Sequence, residues 1–371
     1  MITRNLSHQH AVVVMGLLRT LFAITVVFAH SPLNGGFVFV GGRNAVQLFY
    51  MISGFLISYI ISTNRAYRNP YRFYLNRALR LYPIYLVVAL LALLGVVFAK
   101  PKFFELYAQI PIAADMLLLF SNLFLIGQDW VMFAGIDNGQ LVFAPDFTRS
   151  DVLLFEGLLV PQAWTLGVEI SFYLIAPCIL HKRRLVILLL LLSLLIRLLL
   201  ITLGVGGNDP WTYRFFPAEL ALFLLGVLAE QYLLPWWKGV IATNNLPWLP
   251  SVATFALVAL ALGFTLLPFT QVVSSLLLFL VFFLLLPLTF LYQNNSPTDR
   301  AVGELSYPLY VGHLLVISSL RVVLNALQVN TLSNLALALL NVVMALVFAY
   351  LLNQYIGRPM ENIRKKIKQG V

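Results

Sequence analysis

Arg19 and His30 stand eleven residues apart in an otherwise apolar run. At 100° per residue that offset is about 1100°, three turns plus roughly 20°, so both side chains share one helix face, about 16 Å apart along the axis. An arginine inside a membrane span costs several kcal/mol unless it faces protein or water. An imidazole that titrates near neutrality can take a proton from a hydroxyl and later return it. The inert alternatives are an interfacial histidine and an arginine snorkelling to the nearer surface. Two such residues on one face point instead to a buried functional site.

Three further clusters carry chemistry. In the run Arg72-Phe73-Tyr74-Leu75-Asn76-Arg77-Ala78-Leu79-Arg80-Leu81-Tyr82-Pro83, the i, i+3 spacing puts Arg77 and Arg80 on one helix face. Adjacent guanidiniums offer paired donors to phosphate oxygens, although a basic anchor with interfacial tyrosines has the same look. Glu169 follows Trp164 by five residues, past the first turn of a helix, where a carboxylate can orient His30 and stabilise its charged form. Gly303 to His313 includes Ser306, Tyr307, Tyr310 and His313, a polar stripe able to line a cavity or merely to pack. Arg197, deep in a leucine-rich run, has Glu219 as its candidate partner. Cys178 is the single cysteine, so no intrachain disulfide is available, and no metal-ligand cluster is visible.

The elements that must hold these residues are membrane helices. The chain is 61% hydrophobic and only 10% charged, where a soluble domain carries about 25%. Apolar runs of spanning length recur throughout, predicting an all-α polytopic bundle over 1–371. Ten spans are expected, near 11–30, 45–62, 81–99, 164–180, 185–204, 215–233, 248–267, 271–292, 303–323 and 333–356. The first reads as a retained anchor, since no small-residue cleavage site follows it.

Arg65, Arg68, Arg72, Arg77 and Arg80, then Lys182 to Arg184, Lys238, Arg300 and the basic tail 357–371 then fall on one side. That side is cytoplasmic by the positive-inside rule, and both termini join it. The net charge of +10 reflects this asymmetry rather than nucleic-acid binding. The segment 100–163 is expected as one extracytoplasmic excursion, partly re-entrant, carrying seven acidic residues.

At these residues the chain resembles the acyltransferase-3 membrane acyltransferases, which include O-antigen and other surface-polysaccharide O-acetyltransferases. The resemblance spans nearly the whole chain. It rests on the Arg19/His30 spacing, the run Val46 to Ile57 with Ser53-Gly54-Phe55, the Arg77-x-x-Arg80 pair, Trp164-Thr165-Leu166-x-x-Glu169 with Phe172-Tyr173, and Ser306-Tyr307-x-x-Tyr310-x-x-His313. Tyr50 and Thr165 replace the commoner Phe and Ser.

The resemblance implies an inner-membrane enzyme moving an acyl group, acetyl for choice, from acetyl-CoA on the cytoplasmic side. The acceptor is a hydroxyl of a glycan or lipid-linked sugar near the outer face. His30 would be the essential histidine with Arg19 as partner, and Arg77 and Arg80, assisted by Arg72, would hold the coenzyme A phosphates. Glu169, Ser53, Trp164, Tyr310 and His313 would line the cavity. Many relatives add a C-terminal hydrolase-like domain. Here a basic tail follows the last span, so direct transfer or a periplasmic partner enzyme is expected. The competing class is a transporter or flippase, whose matched repeats and broken helices are not evident. A scaffold that keeps the fold without chemistry would have lost the histidine or the arginines.

Overall fold

The computed structural model describes residues 15–33, 39–99, 102–293, 296–329 and 331–369. Its helices are α1 (Gly16–Ala29), α2 (Gly42–Thr63), α3 (Pro70–Ala99), α4 (Lys102–Gln109), α5 (Ile112–Phe124), α6 (Trp164–Ile179), α7 (Arg183–Thr202) and α8 (Phe216–Leu228). There follow α9 (Leu234–Asn244), α10 (Leu249–Leu262), α11 (Gln271–Gln293), α12 (Pro297–Ala326), α13 (Asn334–Leu352) and α14 (Arg358–Gln369). Single π-helical turns join α8 to α9 and α13 to α14, making two continuous rods. Helices dominate because in hydrocarbon every backbone donor must find its acceptor within the segment.

Among the described residues seven helices are long and apolar enough to cross a membrane: α2, α3, α7, α8 with α9, α11, α12, and α13 with α14. They coincide with seven of the ten expected spans. At the other three the helices are shorter, with 14 residues in α1, 16 in α6 and 14 in α10. At 1.5 Å per residue these reach about 21–24 Å, less than the roughly 30 Å of hydrocarbon. The helix α6 begins at Trp164 as expected, after a Pro161–Ala163 turn, and Gly263 ends α10. The start of the first expected span lies outside the described residues.

The segment 100–163 has structure of its own. It holds α4, α5 and a two-stranded antiparallel hairpin, β1 (Ala134–Asp137) with β2 (Gln140–Phe143). Asn138 and Gly139, at φ 47° and 73°, make the left-handed turn that an Asn-Gly pair favours. The helix α5 leaves Met116, Phe120 and Leu123 exposed and packs Ala114 and Leu118 inward. Its end is fixed against α3, where Tyr82 and Tyr85 donate to the carbonyls of Phe124 and Asn122.

Two helix pairings fix the frame. In the first, α1 runs parallel to α12: Asp299 accepts the backbone N–H groups of Gly16 and Leu17 at 2.7 Å each, and Thr20 donates to Val302. In the second, α2 and α8 touch through glycines. A Cβ on Gly54 would lie 1.9 Å from the Phe223 carbonyl, and one on Gly226 would lie 1.9 Å from that of Met51. Such close backbone approach is a feature of membrane helix pairs with small residues at the crossing. The expected Arg197–Glu219 pair forms at 2.6 Å, with Glu219 also accepting from Gln47 of α2.

The basic tail departs from a solvated run. It continues α13 and packs along α3, turning Arg364 inward.

Candidate active site

The walls of one cavity come from α1, α2, α3, α6 and α12, and they gather most of the residues singled out in the sequence. Arg19, Ser53, Arg77, Arg80, Glu169 and Tyr310 all line it, joined by Thr165, Tyr173, Ser306 and Tyr307. About 670 Å³ of space outside atoms lies within it, part of that open to the surroundings.

Glu169 is held from two helices. Ser53 of α2 and Tyr173, one turn further along α6, both donate to its Oε1 at 2.5 Å. These are lengths of charge-assisted O–H···O⁻ bonds. Ser53 adjoins Gly54, where α2 packs closely on Phe223 of α8. Arg19 and Arg80 face the cavity with no hydrogen-bond or ion-pair partner among the described residues. Arg77 is buried, stacked 5.8 Å from the rings of Phe73 and Tyr173, and donates to Asn76 Oδ1 at 2.9 Å. Three guanidiniums and one carboxylate therefore meet in a single cavity, leaving an excess of positive charge.

The two histidines lie beyond this cavity and against each other. His30, exposed where α1 ends, and His313, fully buried in α12, have ring centroids 4.9 Å apart. The parallel course of α1 and α12 produces the contact, because the register that sets Gly16 on Asp299 carries fourteen residues on to both rings. Tyr310 bridges the two regions: it lines the cavity and its ring lies 5.9 Å from that of His313.

Each imidazole uses Nδ1 on a carbonyl, His30 on Val26 at 2.9 Å and His313 on Tyr310 at 2.6 Å. A carbonyl only accepts, so Nδ1 carries the proton and Nε2 of His30 keeps its lone pair. The structure does not bring Glu169 to His30. The acceptor that orients His30 is the Val26 carbonyl, and the carboxylate belongs to Ser53 and Tyr173. Trp164 also stands outside the cavity lining, packed under the Arg214 guanidinium at 4.2 Å and edge-on to Tyr213. Arg72 lies in the first turns of α3, one turn before Asn76 and Arg77.

Three contributors had little sequence signal. Tyr173 was visible within its motif but not as a second donor. Asp299, which caps α1 and so sets the depth of Arg19, lies 280 residues from it. Asp129 lies beneath the first turn of α6, where only a glycine fits: a Cβ on Gly167 would be 2.5 Å from its Oδ1. Burial pushes the Asp129 carboxyl from 3.8 up to about 7. Among the described residues no group of three His, Cys, Asp or Glu side chains is placed to hold a metal ion.

A family profile described as an acyltransferase domain matches residues 14–354, nearly the whole chain and all of the walls just described. The chain belongs to the acyltransferase-3 family. It is accordingly an integral, multi-pass membrane protein. Among curated proteins it is similar to nodulation protein 10 of Rhizobium leguminosarum bv. viciae, at 29% identity over 184 residues. That alignment covers 44% of this chain and 43% of the relative, so the two are matched over less than half their lengths. No solved structure matches it significantly.

Proposed function

We propose that the protein transfers an acyl group, acetyl for choice, from acyl-CoA to a hydroxyl of a glycan or lipid-linked sugar. The observation that carries this reading is the set of guanidiniums of Arg19, Arg77 and Arg80 facing one cavity at the foot of the helix that ends in His30. Coenzyme A is a multiply charged anion that cannot enter hydrocarbon, so its phosphates stay at the basic end formed by Arg72, Arg77 and Arg80. In this reading the membrane is the inner one, and the positive-inside rule makes that end cytoplasmic. The segment 100–163 then faces the other side, with α5 as its re-entrant part. The pantetheine arm passes Arg19 and carries the thioester along α1, a path of about 16 Å from Arg19 to His30.

His30 Nε2 then takes the proton of the acceptor hydroxyl as its oxygen attacks the thioester carbonyl. The C–S bond breaks, and the departing thiolate recovers a proton from the imidazolium. Glu169, fixed by Ser53 and Tyr173, balances Arg19 at the entrance rather than touching the base. The reading is tested by mass spectrometry of surface glycans from cells carrying the wild-type gene, a deletion, or His30→Ala at matched membrane expression. Loss of one acyl mass in both the deletion and the variant is expected. Retention in the variant would make His30 structural and overturn the mechanism. No change in any genotype would move the acceptor away from glycans.

A further inference from the structure

Next to Arg77 a second guanidinium, from a residue outside the cavity lining, approaches the oxygen that Arg77 contacts. Arg364 of α14 donates to Asn76 Oδ1 at 3.3 Å, while Arg77 donates to it at 2.9 Å. Arg364 is only 9% exposed, and the neighbouring Ile363 is 44% exposed. The helix is thus rotated so that a charge goes inward and an apolar side chain goes out, the reverse of what burial alone favours. Glu361, one turn earlier, pairs with Arg364.

The polar accounting around this contact does not close. Among the described residues, two guanidiniums present ten N–H donors to one amide oxygen, one carboxylate and the neighbouring Tyr67 hydroxyl. Arg77 Nε, Arg364 Nε and Asn76 Nδ2 are all buried without a hydrogen-bond partner among the described residues. All three are donors, so the group they lack is an acceptor. Arg80 adds its charge from the adjoining turn of α3, and the like charges lack a matching set of carboxylates. A phosphate group answers both deficits, because it brings negative charge and several acceptor oxygens that guanidiniums bind in pairs.

We infer that Arg364 belongs to the anion site: with Arg77 across Asn76 it forms a guanidinium pair that binds a phosphate of the donor, so that donor affinity depends on the docking of α14. This rests on the acyl-CoA reading above. It also gives the tail a function the sequence did not suggest, since the site is incomplete until the chain's last helix has packed on α3.

The test is CoA binding to the purified full-length protein in detergent by calorimetry, with thermal unfolding recorded for each variant. The variants are Arg77→Gln, Arg364→Gln and Glu361→Gln, and inorganic phosphate is the competitor. Losing one charge-assisted phosphate contact weakens binding about ten- to hundred-fold. Arg364→Gln is expected to show that loss, as is Arg77→Gln. Glu361→Gln is expected to keep or raise affinity, because it frees Arg364 for the phosphate. If Arg364 only pins the helix, Glu361→Gln would weaken binding as Arg364→Gln does, and the inference fails. Loss in Arg77→Gln with wild-type affinity in Arg364→Gln would also overturn it while leaving the donor site standing. Wild-type affinity in both arginine variants would overturn the donor reading itself. Inorganic phosphate abolishing CoA binding at equal concentration would assign the pair to free phosphate instead.

Discussion

The Arg197–Glu219 pair offers a perturbation whose size follows from its surroundings. Glu219 is 0% exposed and accepts from Arg197 at 2.6 Å and from Gln47 at 3.0 and 3.3 Å. Arg197 also donates to the Ala218 carbonyl. The knot ties α7 and α8 to α2, the helix whose Phe49, Tyr50 and Ser53 form one cavity wall. Replacing Arg197 by Leu leaves an unpaired carboxylate inside the bundle, and replacing Glu219 by Leu leaves an unpaired guanidinium. Breaking a buried pair from one side costs about 3–5 kcal/mol, whereas replacing both partners by apolar residues is often neutral. The double variant Arg197→Leu/Glu219→Leu is therefore expected to recover most of either single loss.

The assay is reversible unfolding of the purified protein in mixed micelles, with acyl transfer measured on the same samples. Additive losses, or single losses under about 1 kcal/mol, would refute the claim that the pair is desolvated and coupled. Activity should return with stability in the double variant. Stability without activity would mean that the knot has a chemical task beyond holding α2.

Three further outcomes are expected. Asp129→Asn should flatten a pH dependence: a carboxyl raised to about 7 on folding makes its stabilising contribution below pH 4 and loses it as pH rises to 7, on the order of 4 kcal/mol at most. Thermal melts at pH 5 and 8 check this, and an unchanged difference between them would rule Asp129 out as the source. Ser53→Ala and Tyr173→Phe each remove one hydroxyl from Glu169 and should cost about 1.5–3 kcal/mol in stability or in kcat/KM; wild-type values in both would show that the carboxylate needs no fixing. Gly54→Ala puts a Cβ 1.9 Å from the Phe223 carbonyl, so α2 and α8 must part by at least about 1 Å at about 1–3 kcal/mol, readable as a lower melting temperature with reduced transfer.

What the sequence revealed and what it hid divide along physical lines. Apolar runs give long helices directly, because in hydrocarbon length and hydropathy leave few alternatives. The three short helices escaped that logic, since they end at a turn, at a glycine or against other protein rather than at a membrane surface. The hairpin carried its own Asn138-Gly139 signal, which the membrane reading of 100–163 overshadowed. Within the site, residue types were legible but pairings were not. Ser53 and Glu169 are 116 residues apart, and a one-dimensional spacing cannot say that a carboxylate will be held by a serine rather than a histidine. The Arg197–Glu219 partnership could be anticipated because a buried arginine demands a counter-charge and few acids are available in the apolar spans. Arg364 could not, because a run of Arg and Lys after a last span ordinarily stays in water.

In the proposed reaction the pairing of α1 with α12 gives the Arg19–His30 spacing its importance. Both residues are rigidly joined by one helix, so the distance from anion end to base is set by residue number and not by side-chain adjustment. The neighbouring helix repeats the ruler: Asp299 fixes the foot of α1, and His313 meets His30 at its head. Inserting one residue between Arg19 and His30 would turn His30 by about 100° away from His313 and lift it by about 1.5 Å. In the proposed reaction the donor's phosphates are anchored by arginines on α3 and α14, and its reactive carbonyl must reach a base at a fixed height. The arm between them has a constant length in every acyl-CoA. Acyl chains longer than acetyl therefore leave the carbonyl where it is and project past His30, toward the end where the acceptor binds. Donor selectivity should accordingly reside in residues around His30 and His313, while the arginine end sets affinity for coenzyme A alone.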